Sequence, residues 1–251
     1  MSGPADSAGV PFAGRAFHAN PGAGDDGQAP PKLLEALRRF AASEIGVAEV
    51  VAALHGSRLL VPLVAVAGDE GIGAHGQTVD KTQELSIVTV AGPDGRAVLP
   101  AFSSVAAMTA WNPRARPIPI EASRIALAAE SEGTQLIVLD PKSPTEFVVR
   151  RPAFRALATG EPWTPSFDDE VVLDAFLRVT AGESAVRALQ LAPGDPLAQL
   201  AGAELLVHLT LAPGLDAAAL RALLGRLQEA WSSDPVIAMR VDSIGVTVSA
   251  D

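Results

Sequence analysis

The run Leu59-Leu60-Val61-Pro62-Leu63-Val64-Ala65 constrains the fold more than any other stretch of the chain. A strand with water on one face alternates apolar and polar residues, whereas an unbroken apolar run needs cover on both faces. The block from Arg58 to Ala67 lies between His55-Gly56 and Gly68-Asp69, which supply turn chemistry at either end. It therefore predicts a central strand in a layered sheet. It is also too short for the roughly 20 apolar residues of a membrane span, and Pro62 interrupts it, so no membrane partner is expected.

The flanking sequence supplies the layers. Leu33, Leu34, Leu37 and Phe40, then Val47, Val50, Val51 and Leu54, recur at helical spacing with Gly46 between the sets, predicting two short amphipathic helices. Glu84 to Ala91 and Arg96 to Phe102 read as strands joined by the turn residues Gly92-Pro93-Asp94-Gly95. Ser103 or Ser104 is placed to cap a helix that Asn112-Pro113 stops at Trp111, since proline disfavours helical geometry in the residue before it. An alanine-rich helix around 123–130 follows. Gln135 to Leu139 and Glu146 to Arg150 then form a strand pair, and a helix opens at Pro152 and stops at Gly160.

Pro162, Pro165 and the acidic run Asp168-Asp169-Glu170 mark a linker, beyond which a second unit begins. There Leu205, Val207, Leu209 and Leu211, and later Ile244, Val246 and Val248, alternate with other residues as strands with one covered face. Asp216 caps an intervening helix whose Leu220, Leu223, Leu224, Leu227 and Trp231 share one stripe. Residues 1–31, rich in Gly, Pro, Ala and Asp without apolar periodicity, read as a disordered leader. The expected organisation is α/β (α+β). Two small mixed-sheet domains, 32–165 and 170–251, carry helices packed on their sheets.

Composition narrows function mainly by exclusion. The chain has no cysteine, which removes disulfides, thiolate metal sites and persulfide or thiol catalysis. Together with a start unlike a secretory signal, this reads as a cytoplasmic protein. A net charge of -10 and the lack of any Lys or Arg cluster disfavour nucleic acid as a partner. His18, His55, His75 and His208 show no paired metal-binding spacing, so no metal is expected, and no motif calls for a cofactor. Gly71, Gly73 and Gly76 satisfy G-x-G-x-x-G, but the sequence after them leads into a strand instead of a helix, so they read as an inter-strand loop. No nucleophile elbow or other catalytic context is present.

Several phrases in their order carry a likeness. Ser57-Arg58-Leu59-Leu60-Val61-Pro62-Leu63-Val64, Asp80-Lys81, Pro93-Asp94-Gly95-Arg96, Leu99-Pro100-Ala101-Phe102, Arg116-Pro117-Ile118-Pro119 and Leu139-Asp140-Pro141 follow one another over residues 47–165. This part of the chain resembles the SseB family. The second half, through Leu209 to Asp216 and Val241-Asp242, is similar to the second domain of actinobacterial-type members. The resemblance implies no catalytic activity, cofactor or binding residues.

Trp111, Arg114 and Arg116 stand beside Pro117 and Pro119, so a stiff backbone presents an aromatic ring and two guanidinium forks. With Arg58 and Lys81 they form the candidate binding residues, suited to a carboxylate or a partner's acidic side chain. The competing reading places Trp111 in the core and the prolines on a guarded edge strand. The expected function is a noncatalytic binding or regulatory module with a protein or small-molecule partner. The alternative is an enzyme on a small anionic metabolite, possibly in amino-acid metabolism, with His55 or His75 as base. Self-association through the second domain's sheet is a third reading.

Overall fold

The computed structural model describes residues 24–65, 70–72, 78–80, 85–87, 89–92, 94–131, 134 and 136–250. In the first unit, α1 (Pro31–Ala41) begins on a proline, whose missing N–H costs nothing in a first turn, and buries Leu33 and Leu37. Helix α2 (Val47–Leu54) starts at Gly46, whose N–H is met by the Glu49 carboxylate at 3.1 Å. The central strand is β1 (Arg58–Ala65), followed by β2 (Glu70–Ile72), β3 (Thr78–Asp80), β4 (Leu85–Ile87), β5 (Val90–Ala91) and β6 (Ala97–Ala101). The single strand expected over 84–91 is thus two short ones that join different neighbours: β4 pairs with β1, and β5 forms a hairpin with β6. Ser104 caps α3 (Val105–Trp111) by accepting from the Ala107 N–H. Then come β7 (Arg116–Glu121), α4 (Ala122–Ser131), β8 (Leu136–Leu139), β9 (Phe147–Arg150) and α5 (Arg151–Thr159), which Gly160 ends at φ 76°.

Seven of these strands form nearly one sheet, while β2 and β3 pair with each other as a separate ribbon. β6 and β8 are parallel, β9 is antiparallel to β8, and β7 is antiparallel to β1. Leu60 of β1 exchanges both backbone hydrogen bonds with Phe102, just past β6, and so stitches the two groups together. Leu59, Leu60 and Val61 are all buried, so both faces of β1 are covered. One face meets α1, α2, α4 and α5 in the main core, and the other packs Leu60 and Phe102 against Met108 of α3.

The second unit has its own core. It consists of α6 (Glu170–Thr180), capped by Asp169, β10 (Val186–Pro193), β11 (Leu205–Leu211), α7 (Ala217–Ser233), capped by Asp216, α8 (Pro235–Arg240) and β12 (Ile244–Ala250). β10 is antiparallel to β11 and β12 parallel to it, a pairing that needs the α7–α8 crossover. Val207, Leu209, Phe176, Leu223, Leu227 and Trp231 fill the space between sheet and helices. The stripe expected on α7 is this buried face. Val246 and Val248 depart from expectation, being 40% and 44% exposed, because β12 is the outermost strand and the helices stop short of it.

Part of the expected leader is ordered. Arg58 forms an ion pair with Asp25 and donates to the Gln28 carbonyl, while the Gly27 carbonyl accepts from the Val105 N–H, so residues 24–30 lie against the sheet. Charge attraction and backbone pairing order this end despite its lack of apolar periodicity. Residues 1–23, Lys81, His75 and two glycines of the glycine motif, Gly73 and Gly76, lie outside the described residues, and Gly71 falls in β2. Among the described residues no helix is long and apolar enough to cross a membrane.

Candidate functional site

The sequence-nominated residues that are described, Arg58, Trp111, Arg114 and Arg116, do not form one surface; Lys81 lies outside the described residues. Residues directly opposite in an antiparallel pair share a face, so Arg116, opposite Leu63, points to the side of Leu59 and Val61, while Pro119, opposite Leu60, points to the other. Trp111 belongs to that second side: its ring lies 5.3 Å from Phe102 beside Leu60 and Met108. The packing of α3 on that side, with the pleat that turns Arg116 to the other, separates Trp111 from Arg116. Arg114 occupies the exposed turn between α3 and β7, and neither its guanidinium nor that of Arg116 has an ion-pair partner among the described residues. Arg58 is committed to Asp25, Gln28 and, at 2.9 Å, the Ser103 carbonyl.

The chemistry concentrates instead where the two units meet. Arg150, at the end of β9, donates to Asp195 at 2.6 Å, to Asp242 at 3.0 Å and to the Gly202 carbonyl at 2.9 Å. Arg96 reaches the same Asp242 carboxylate with two bonds of 3.0 Å and holds Asp94 at 2.6 Å. Asp195 in turn accepts the N–H groups of Gln199, Leu200 and Ala201, shaping the loop between β10 and β11. The side chains of Arg150, Asp195 and Asp242 are 8%, 2% and 1% exposed, so these charges are stable only because each meets an opposite one.

Glu204 completes the junction. Its carboxylate accepts from the Asp242 N–H and from the Ser166 hydroxyl, at 3.1 Å. Burial pushes its pKa up; those two hydrogen bonds oppose the rise, and the Asp242 charge adds to it. Asp94 shows the reverse balance: burial acts to raise it, but the Arg96 side-chain and backbone bonds hold it below the usual carboxylate range. Asp140 is a separate buried carboxylate, raised by burial and countered by the N–H and hydroxyl of Ser103, at 2.7 and 2.6 Å. All three carboxyls are bonded within the protein, which suits holding a shape better than moving a proton.

Beside the junction a groove of about 590 Å³ runs between α7, α8 and β12. Leu224, Gln228, Ile244 and Val246 form its sides, and Trp231, 2% exposed, lies among its lining residues. The Trp231 indole N–H is buried and has no hydrogen-bond acceptor among the described residues. Arg151 stands at the groove with one terminal nitrogen donating to the carbonyls of Ala238 and Val241, at 2.7 and 2.9 Å. Its guanidinium thereby closes the end of α8, and the one other charged lining residue, Asp242, is already paired with Arg96 and Arg150.

Sequence reasoning named Trp231 only as part of a core stripe and missed Arg150, Arg151, Asp195 and Glu204 as a site. The Arg150-Arg151 pair at a strand-to-helix junction was the available signal, because two adjacent cations there need partners from elsewhere. Asp195 and Glu204 carried none, since their roles depend on contacts spanning 45 and 38 residues.

Residues 33–156 match the family model of the SseB protein N-terminal domain. The chain carries an SseB N-terminal domain. The match takes in Arg96, Arg150 and Arg151, so the SseB domain contributes the cations of the junction, and the residues after it contribute Asp195, Glu204 and Asp242. No curated protein and no solved structure matches the chain. No group of three or more His, Asp or Glu suited to a metal ion occurs among the described residues.

Proposed function

We propose that this protein is a noncatalytic binding or regulatory module, and that the groove beside the domain junction receives its partner. The observation that carries this reading is the groove itself: largely apolar walls, one arginine, an aspartate already neutralised by Arg96 and Arg150, and a buried indole N–H without an acceptor among the described residues. Such a lining favours a partner segment with apolar side chains and one anionic or carbonyl group. The compartment proposed is the cytoplasm, where a fold without disulfides is the usual case.

The alternative, an enzyme on a small anionic metabolite, draws support from the groove's volume, which lies within the range of small-molecule sites. Its proposed bases do not favour it. His55 follows α2 and does not line the groove, and His75 lies outside the described residues.

Gln228 and Ser232 are exposed on the groove's wall, so Gln228→Arg with Ser232→Arg fills it without disturbing the core. Tagged wild type recovered from its own cells should bring down a near-stoichiometric partner, and the folded double variant should lose it. Equal recovery by both would remove the groove from the reading. A metabolite that raises the melting temperature of wild type alone would shift the reading to a small ligand.

A further inference from the structure

Exposed strand edges offer unpaired N–H and C=O groups to any strand that can reach them, and folded proteins guard them. Among the described residues three outermost strands have five or more residues, and two are guarded. In β7, Pro117 and Pro119 stand opposite Pro62 and Leu60, and Leu60 spends both backbone bonds on Phe102. The two prolines therefore occupy positions that point outward and leave no N–H there. β10 carries a register shift between Val186 and Ala188, with charged Arg187 in it, and ends in Pro193.

β12 has none of these devices. Its sequence, Ile244-Gly245-Val246-Thr247-Val248-Ser249-Ala250, contains no proline, charge or register shift. The Leu205 N–H bonds to the Ser243 carbonyl, so the alternation of a parallel ladder turns the backbone groups of Ile244, Val246, Val248 and Ala250 outward. The side chains of Val246 and Val248, opposite Val207 and Leu209, project on the helix-bearing face and are the exposed valines.

The strand also matches itself. Around Thr247 the flanking residues are valine and valine, then glycine and serine, then isoleucine and alanine. We propose that β12 pairs with β12 of a second copy of this chain, antiparallel about a two-fold axis at Thr247, to make one six-stranded sheet. Val246 then meets the partner's Val248 and Ile244 the partner's Ala250, on the outward-bonding positions; Thr247 meets Thr247. A two-fold contact must use one patch on both chains, and this strand presents equivalent residues in both directions. Two chains of net charge -10 repel, and the absence of charge along β12 and on Leu224, Gln228 and Ser232 beside it makes this a place where they can meet. The inference concerns the edge of the sheet and is read as a mass, so it stands or falls separately from partner capture in the groove.

The test uses the full chain. Wild type should show a mass about twice 25.8 kDa by light scattering at micromolar concentration, and Val248→Lys should raise the dissociation constant roughly a hundredfold, as for substitution at the centre of a symmetric interface. Val248→Pro removes one outward N–H, as β7 does naturally, and should act likewise. Thr247→Cys fixes the register independently of any loss of fold: opposed residues at such a pair lie about 4.5 Å apart between Cα atoms, within disulfide range. The chain has no other cysteine, so mild oxidation should give a covalent dimer. Ser249→Cys, about 13 Å from its counterpart in this register, should not. A single-chain mass for wild type at every concentration overturns the proposal and leaves the edge to a foreign strand. So does a dimer indifferent to Val248→Lys, or equal crosslinking by both cysteine variants.

Discussion

Strands β9 and β12 both end a sheet, and the protein treats them in opposite ways. β9 is covered from the second unit: the loop between β10 and β11 brings the Ala198 carbonyl to the Val148 N–H at 2.8 Å, with Ala198 in the core on one face and Leu200 in the cluster on the other. β12 has no such cover among the described residues. The difference is one of charge chemistry. Covering β9 requires a loop in which Ala198 and Leu200 adopt φ of 49° and 58°, and Arg150 and Asp195 hold that loop from inside. The base of the loop is equally demanding: a Cβ on Gly194 would lie 2.3 Å from the Ala203 carbonyl oxygen. An edge closed at such conformational cost stays closed, and the bare one is where the proposed pairing with a second copy would take place.

The largest expected effect breaks the covered edge. Arg150→Ala leaves Asp195 buried without its cation and removes one of two cations from Asp242, and should cost about 3–5 kcal/mol in chemical denaturation. Hydrogen exchange at the Val148 amide should rise more than at amides of β1. Equal protection there would mean that the loop stays in place without its arginine. A smaller effect tests the guarded edge: Pro117→Thr with Pro119→Thr restores two outward N–H groups to β7 and should change stability by about 1 kcal/mol or less. The mass of this variant should grow with concentration beyond that of wild type. An unchanged mass would show that Arg116 and its neighbours guard β7 without the prolines.

The smallest effect is a pH slope at the junction that links the two edges. The folded pKa of Glu204 is raised, so the native state holds its proton more tightly than the unfolded chain. Its contribution is complete below the model-compound value of 4.5 and is lost as pH rises through the folded value. The stability of wild type relative to Glu204→Gln should therefore fall as pH is raised from 4.5 and then level off. A difference independent of pH would mean that Glu204 titrates normally in the fold.

The layered organisation of the SseB domain was legible from patterning because it depends on local signals. The apolar run at Leu59 to Ala65, the cap at Ser104, the first-turn proline of α5 and the stop at Gly160 each specify an element within a few residues. Strand β10 was not legible: Val186-Arg187-Ala188-Leu189-Gln190 lacks strict alternation because the register shift puts an extra residue at Arg187. Val246 and Val248 read as a covered face because alternation reports a difference between two faces and is silent on whether a helix reaches far enough to cover one. The candidate site was the least legible part. Trp111, Arg114 and Arg116 are close in sequence, but α3 packs Trp111 on one face of the sheet and the pleat of β7 turns Arg116 to the other, while the groove draws Arg151, Trp231 and Ile244 from distant segments.

The borrowed cover on β9 bears on what can be inherited or expressed alone. A gene cut at the linker would encode every strand of the SseB domain's sheet and omit the piece that finishes its border. Ala198 and Leu200, which seal that border, are specified some fifty codons after Val148. Such a fragment would have its framework complete and its seam open, making it prone to sticking to its neighbours. The recognisable domain, residues 33–156, and the stretch of chain that closes its sheet are thus of different lengths.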